Sequence, residues 1–312
     1  MMPDLLATCW THAGDAMPVP GRHLSPLDLR SRAEAAAAAG FTGIGFTIGD
    51  LRAAERTYAL ADVRRILDDL GLVHREVELL EDWWTTGPRR ARSDELWATL
   101  LTAAEALGAR TIKLGPDVEA VDGIVPPLTD VARWAAELHR LAAGAAEVGV
   151  RVALEPLPFA NVADFRVAAD LVEAAGHPAA GLAVDIWHLE RGPSTLADLA
   201  TIPGDRVFVV ELSDAPPPRL TDVFQETIHH RVLCGEGVFD VRGFVDTLRG
   251  LGFAGPWGVE ILSEVQRHAP LRPALAEAYR TTARLFADDG GSADVPAPTA
   301  SRGDARITLP TD

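Results

Sequence analysis

The feature of this chain that most restricts its fold is a beat: a short apolar, β-branched run followed by an alanine-rich helical stretch, repeated eight times. The first run is LLATCW (5–10), and the others lie at 42–47, 72–79, 109–115, 150–154, 180–184, 206–212 and 256–261. Helical stretches follow at 25–40, 59–71, 93–107, 128–147, 164–175, 195–201, 240–250 and 271–287. Ser25 offers an N-cap to the first, and Gly40, Gly71, Gly108 and Gly149 stop four of the segments. Strands that read as unbroken apolar runs are those buried on both faces, which is the signature of a parallel sheet. Eight such pairs with short connections predict a single (β/α)8 TIM barrel over residues 1–287. An open doubly wound sheet would want G-x-G-x-x-G after the first strand, and that motif is missing. From residue 288 the composition turns to Gly, Ser, Asp, Pro and Thr, so 288–312 is expected to be a flexible tail.

Within that frame four acidic residues stand just past, or at the end of, the last four apolar runs: Glu155, Asp185, Glu211 and Glu260. In a closed parallel barrel these positions face one mouth. Four carboxylates there repel one another unless a divalent cation neutralises them. Oxygen ligands without a competing thiolate suit a hard ion, so the expected cofactor is one Mn²⁺ or Mg²⁺. The competing explanation for each residue alone is helix capping, because acidic side chains also settle at helix N-termini.

Composition narrows the partners. The net charge is −16 over 312 residues, which argues against a nucleic-acid backbone or an anionic membrane as partner. Two cysteines, Cys9 and Cys234, cannot make a disulfide framework, and the first ten residues lack a basic, then apolar, leader. A cytoplasmic location is expected. Apolar positions on the outer helices serve packing or a homo-oligomer face equally well.

Other residues fall on the same side of the barrel. His188 follows Asp185 by three residues and can return to the mouth as an acid, base or hydrogen-bond donor. The long connection 213–239 carries His230 and Arg231, candidates for holding substrate oxygens, with a guanidinium fork on the second. Gly235 and Gly237 read as a turn. Lys113 ends the fourth strand, where a desolvated lysine can run Schiff-base chemistry. Nearby carboxylates would raise its pKa instead, which points to substrate binding or an ion pair. Glu76 and Glu78 share a side of the third strand, so either can reach the mouth. Trp10, Trp83 and Trp84 are candidates for pocket walls, although burial is the commoner fate of tryptophan.

The runs LEPLPF (154–159), VDIWHLERG (184–192), VVELSDAP (209–216), HRVLCGEG (230–237) and WGVEILSE (257–264) together resemble the sugar phosphate isomerase/epimerase superfamily, the xylose-isomerase-like TIM barrels. The resemblance spans roughly residues 5–287. It implies that Glu155, Asp185, Glu211 and Glu260 are the metal ligands. Two positions depart from the pattern: Glu211 stands where such proteins usually carry His or Gln, and Cys234 replaces an expected proline. The same motifs resemble bacterial 3-dehydroshikimate dehydratases.

The resulting expectation is a metal-dependent isomerase or epimerase acting on a small polyhydroxy carbonyl compound through an enediolate. Glu155 and Glu260 are the expected base and acid, while also binding metal. His188 and Arg231 are expected to orient substrate oxygens, with His230, Lys113 and Glu78 as further substrate contacts. The alternatives are a dehydratase, in which the same enolate expels a β-hydroxyl, and a non-catalytic sugar-binding barrel.

Overall fold

The computed structural model describes residues 3–119 and 125–287, so the expected tail at 288–312 lies outside the described residues. Eight parallel strands close into a barrel in sequence order, β1 pairing with both β2 and β8. The strands are β1 Leu5–Ala7, β2 Gly43–Thr47, β3 His74–Leu80, β4 Thr111–Leu114, β5 Arg151–Leu154, β6 Ala180–Asp185, β7 Val207–Leu212 and β8 Trp257–Val259. The predicted TIM barrel is the observed fold.

The helices α1 Leu29–Ala39, α2 Ile48–Ala54, α3 Leu60–Asp69, α4 Gly87–Leu107, α5 Val131–Glu147 and α6 Phe165–Ala175 serve the first five strands. After β6 come α7 Ile186–Arg191 and α8 Leu196–Leu199, and after β7 come α9 Val223–His229 and α10 Val241–Gly250. The short α11 Glu264–His268 and the long α12 Leu271–Ala287 complete the ring.

Alternation along each strand sorts the core. Val152 and Leu154 of β5, and Leu182 and Val184 of β6, point outwards into one large layer shared with the helices. Ala153, Ala183, Phe208 and Val209 form a separate small cluster that fills the barrel's own interior. Small side chains at Ala153 and Ala183 sit directly beneath Glu155 and Asp185, leaving room above for charge rather than for packing.

Several predicted boundaries move for identifiable reasons. Helix α1 is capped by Asp28, whose side chain accepts from the Ser31 N–H, rather than by Ser25. The Ser25 hydroxyl instead donates to the Ala13 carbonyl at 2.7 Å. Helix α4 starts at Gly87 with a proline in its first turn, earlier than the expected 93. Trp83 and Trp84 pack with Trp134, Trp84 stacking on it at 4.4 Å between ring centroids, and therefore belong to the core rather than the pocket.

Candidate functional site

The four carboxylates converge because consecutive strands deliver them at one height. The Glu155 N–H donates to the Leu114 carbonyl at 3.0 Å, so Glu155 continues the ladder one residue past β5 and points inwards after Ala153. Asp185 ends β6 and is paired in register with Glu211 of β7. The Glu260 N–H donates to the Leu212 carbonyl at 2.9 Å, placing Glu260 just past β8. One oxygen from each of Glu155, Asp185, Glu211 and Glu260 lies within 4.8 Å of every other, and all four residues are buried. Glu155, Asp185 and His188 form a second such group.

The crowding depends on a missing side chain. Gly258, two residues before Glu260 and paired with Glu211, has no room for a Cβ, which would lie 2.7 Å from the Val210 carbonyl and 3.1 Å from Glu211 Cγ. Helix capping explains only part of Asp185. Its Oδ1 accepts from the Trp187 N–H at 2.8 Å, while its Oδ2 faces the cluster and receives Arg231 at 2.7 Å.

Two permanent cations thread the acids. Lys113 Nζ lies 2.6 Å from Glu78 Oε2 and 2.7 Å from Glu211 Oε1, and 3.7 Å from both Glu155 and Glu260. Arg231 Nη1 bridges Asp185 at 2.7 Å and Glu260 at 3.1 Å. Its other edge donates to Thr227 Oγ1, and the guanidinium lies over the Trp187 ring. His188 Nε2 sits 3.4 Å from both Glu155 and Asp185. Glu78 is fixed from the far side by the Cys9 thiol, which donates to Oε1 at 2.6 Å.

Burial and these charges pull the carboxyls apart. Burial pushes Glu155 up, but the Lys113 ammonium and then His188 outweigh it and leave the group well below the usual carboxylate range. Burial carries Glu260 up to about 8 against the pull of Lys113 and Arg231. Glu211 is also raised well above its ordinary value, by burial first and the Glu260 charge second. Burial would lower the Lys113 ammonium, yet Glu155, Glu211, Glu78 and Glu260 together hold it above its ordinary value. A cluster this crowded resists the ionisation of all its members at once, and a dication in its midst would favour it.

The donor set fits such an ion. Glu211 Oε2 is buried without a hydrogen-bond partner, an unmet acceptor inside the four-carboxylate group. Four carboxylate ligands supply hard oxygens, and His188 lies at their edge. His188 Nδ1 is likewise buried without a partner.

Above the cluster lies a cavity of about 270 Å³ lined by Glu78, Lys113, Glu155, His188, Arg231 and Glu260 at its polar end. Its walls are mostly apolar, with Trp10, Leu157, Phe159, Phe224, Ile228 and Leu262 among them. Met17, from the long connection after β1, packs with Ile228 and Leu262 and ties that connection over the mouth. The structure thus brings together eight of the nine residues expected to bind metal, move protons or touch substrate. His230 stands apart: its side chain is exposed and does not line the cavity. Of the two third-strand glutamates, Glu78 reaches the mouth, whereas Glu76 lies level in register with Thr111 and, through it, Arg151. Burial raises the Glu76 carboxyl to about 7 there.

Sequence reasoning missed Cys9, Thr227 and Asp214. Asp214 organises the loop whose proline is replaced by Cys234. Its carboxylate accepts from the N–H groups of Ala215, Gly235, Gly237 and Phe239 at 2.9–3.1 Å. A side chain at Gly237 would collide with that carboxylate. Cys234 itself is buried in the main core, and burial pushes its thiol up to about 12, so it is an inert packing residue.

A family model described as a xylose isomerase-like TIM barrel matches residues 33–286. A 3-dehydroshikimate dehydratase of Pseudomonas aeruginosa is 33% identical over 259 residues, which is 81% of this chain and 39% of that protein. An inosose isomerase of Halalkalibacterium halodurans is 28% identical over 142 residues, 44% of this chain and 48% of that protein. The chain thus spans well under two thirds of the length of the curated relatives it matches. A solved structure of IOLI protein with a zinc atom superposes with a TM-score of 0.78 at 18% identity, covering 90% of this chain and 97% of that one. No helix among the described residues is long and apolar enough to cross a membrane.

Proposed function

Because the chain belongs to the xylose isomerase-like TIM barrel family, we propose that it is a divalent-metal-dependent isomerase or epimerase of a small, uncharged polyhydroxy carbonyl compound, acting through an enediolate. One observation carries this reading: four buried carboxylates with an unmet acceptor among them, adjoining a cavity with mostly apolar walls. Glu155, Asp185, Glu211 and Glu260 would hold the ion, with Mg²⁺ or Mn²⁺ suited to their oxygens. Bound there, the ion supplies Lewis-acid polarisation of a carbonyl and its neighbouring hydroxyl.

The protein's own groups do the rest. Glu155 and Glu260 are the outer members of the cluster, on the flanks nearest β5 and β8, and can exchange protons with one substrate carbon from two directions. His188 lines the cavity beside Glu155 and Asp185, within reach of a substrate oxygen bound there. The aromatic and aliphatic walls exclude water and pack the carbon face of a ring or chain. Among the described lining residues the permanent cations are Lys113 and Arg231, and carboxylates already engage both. A substrate phosphate would find no spare cation, which favours a neutral compound.

A second reading has its own support: the dehydratase relative matches most of the chain at 33% identity. The same proton removal followed by loss of a β-hydroxyl, with His188 returning a proton to the departing oxygen, is a dehydration. Stripping the protein with chelator, restoring Mn²⁺ or Mg²⁺, and following ketoses, inososes and 3-dehydroshikimate by NMR in D₂O separates the readings. The expected result is metal-dependent deuterium incorporation at an α-carbon of a neutral ketose. Activity indifferent to chelator rejects the metal; water loss from 3-dehydroshikimate alone makes the protein a dehydratase. Binding without any exchange leaves a sugar-binding barrel.

A further inference from the structure

Lys113 is the only lysine in the 312-residue chain, and it stands inside the carboxylate cluster with 2% of its surface exposed. Its ammonium has one contact on a member of the four-carboxylate group and one outside it: Glu211 Oε1 at 2.7 Å and Glu78 Oε2 at 2.6 Å. Glu155 and Glu260, also members of the group, lie 3.7 Å from the same nitrogen. Glu78 also accepts from the Cys9 thiol through its other oxygen, so it has a partner besides the ammonium. Glu211 adds a negative charge where the resembled family usually carries a neutral side chain, and the lysine meets that charge from across the barrel.

We propose that the Lys113 ammonium is a built-in competitor for the divalent cation: it neutralises Glu211 when no metal is bound and withdraws onto Glu78 as the metal enters, thereby setting the affinity of the site. The physical ground is simple. An ammonium and a dication that share carboxylates a few ångströms apart in a dry site repel strongly. The ion must therefore displace the lysine from Glu211 or bind weakly beside it. Glu78, outside the ligand group and held by a thiol, is the position to which the displaced charge moves. The lysine also keeps the ligands gathered before the ion arrives, since unpaired carboxylates in a buried cluster would spread or protonate. This inference rests on the metal reading above.

Because Lys113 is the sole lysine, ¹³Cε/¹⁵Nζ-lysine labelling gives one side-chain signal that needs no assignment. Mg²⁺ is titrated into the chelator-stripped wild-type protein while that signal is followed by NMR, and Mg²⁺ and Mn²⁺ affinities are measured by calorimetry. The lysine signal should move with the calorimetric midpoint of Mg²⁺ binding. Lys113→Met should bind Mn²⁺ at least about tenfold more tightly than wild type, while the stripped variant unfolds at lower temperature. A lysine with a purely structural role would lower the unfolding temperature without tightening the metal. Metal binding that leaves the lysine signal still, or an affinity in Lys113→Met equal to or below that of wild type, overturns the proposal while the metal reading stands. Failure of the wild type to bind either ion overturns both. Should Lys113→Met fold only when Mn²⁺ is present, that rescue supports the proposal, and the wild-type titration decides it independently.

Discussion

Glu155 is the residue at which position and charge are most tightly joined. It is buried, carried one step beyond β5, and held ionised by Lys113 and His188 despite its burial. Replacing it with glutamine keeps the shape and removes both the proton acceptor and one ligand charge. Glu155→Gln is expected to cost about 10²–10⁴-fold in turnover, the usual range for a positioned acid or base, with the far-UV circular dichroism of the barrel retained. Turnover within a few-fold of wild type would remove Glu155 from the reaction. At this scale the charged residues were legible because four carboxylates at the ends of successive buried strands are more than helix capping, the competing reason for any one of them, accounts for. Their helpers were not. Cys9 meets Glu78 from 69 positions away, which no local pattern signals, and Thr227 meets Arg231 from four residues back, out of a helix too short to announce itself. His230 shows the reverse: adjacency to Arg231 in sequence suggested a shared role, yet His230 caps the C-terminus of α9, where the chain leaves the helix, and its side chain stays exposed while that of Arg231 is buried.

At the scale of elements, the strands and long helices were legible from their periods. The helices α2, α7, α9 and α11 were not, being five to seven residues long and too short to show a repeating apolar face. They matter because each follows its strand on the side where the cluster sits, and α7 and α9 carry His188 and Thr227. The connection after β7 depends on one side chain in the same way. Asp214 receives four backbone N–H groups and pairs through its own backbone with Val232, immediately after Arg231. Asp214→Ala would leave those donors without their acceptor, and hydrogen bonds to a charged group contribute about 1.5–3 kcal/mol each. Partial hydration of the exposed loop reduces the total, so the expected loss is about 3 kcal/mol in urea denaturation, with a smaller loss for Asp214→Asn. An unchanged midpoint in Asp214→Ala would mean that Cys234 packing alone fixes the loop.

For the whole molecule, the closed barrel gathers the acids that follow β5 to β8, and the connections that follow β1 and β2 are held by a second buried network. His12 lies there, with Nε2 at 2.8 Å from the Gly45 carbonyl and Nδ1 at 3.5 Å from Arg32, which in turn pairs with Asp50 at 2.6 Å. Arg32 can only donate, so Nδ1 is the accepting nitrogen and the proton resides on Nε2, which donates to Gly45. The groups facing the ring are thus Arg32 from α1, Asp50 from α2 and the β2 carbonyl. Burial first, and the Arg32 charge second, lower the His12 pKa from 6.5 to about 3. Between those two values the unfolded chain binds a proton that the folded chain refuses. The contribution of a neutral His12 is therefore complete above pH 6.5 and is lost as pH falls towards 3. In the middle of that window the slope is about 1.4 kcal/mol per pH unit. Urea denaturation of wild type and His12→Asn at pH 7, 6, 5 and 4 should show the wild type losing stability more steeply with acid by about that amount per unit. The carboxylate cluster titrates in both proteins and cancels in the difference. Parallel curves would mean that acid reaches the fold through the cluster alone and that the β1–β2 side does not sense protons.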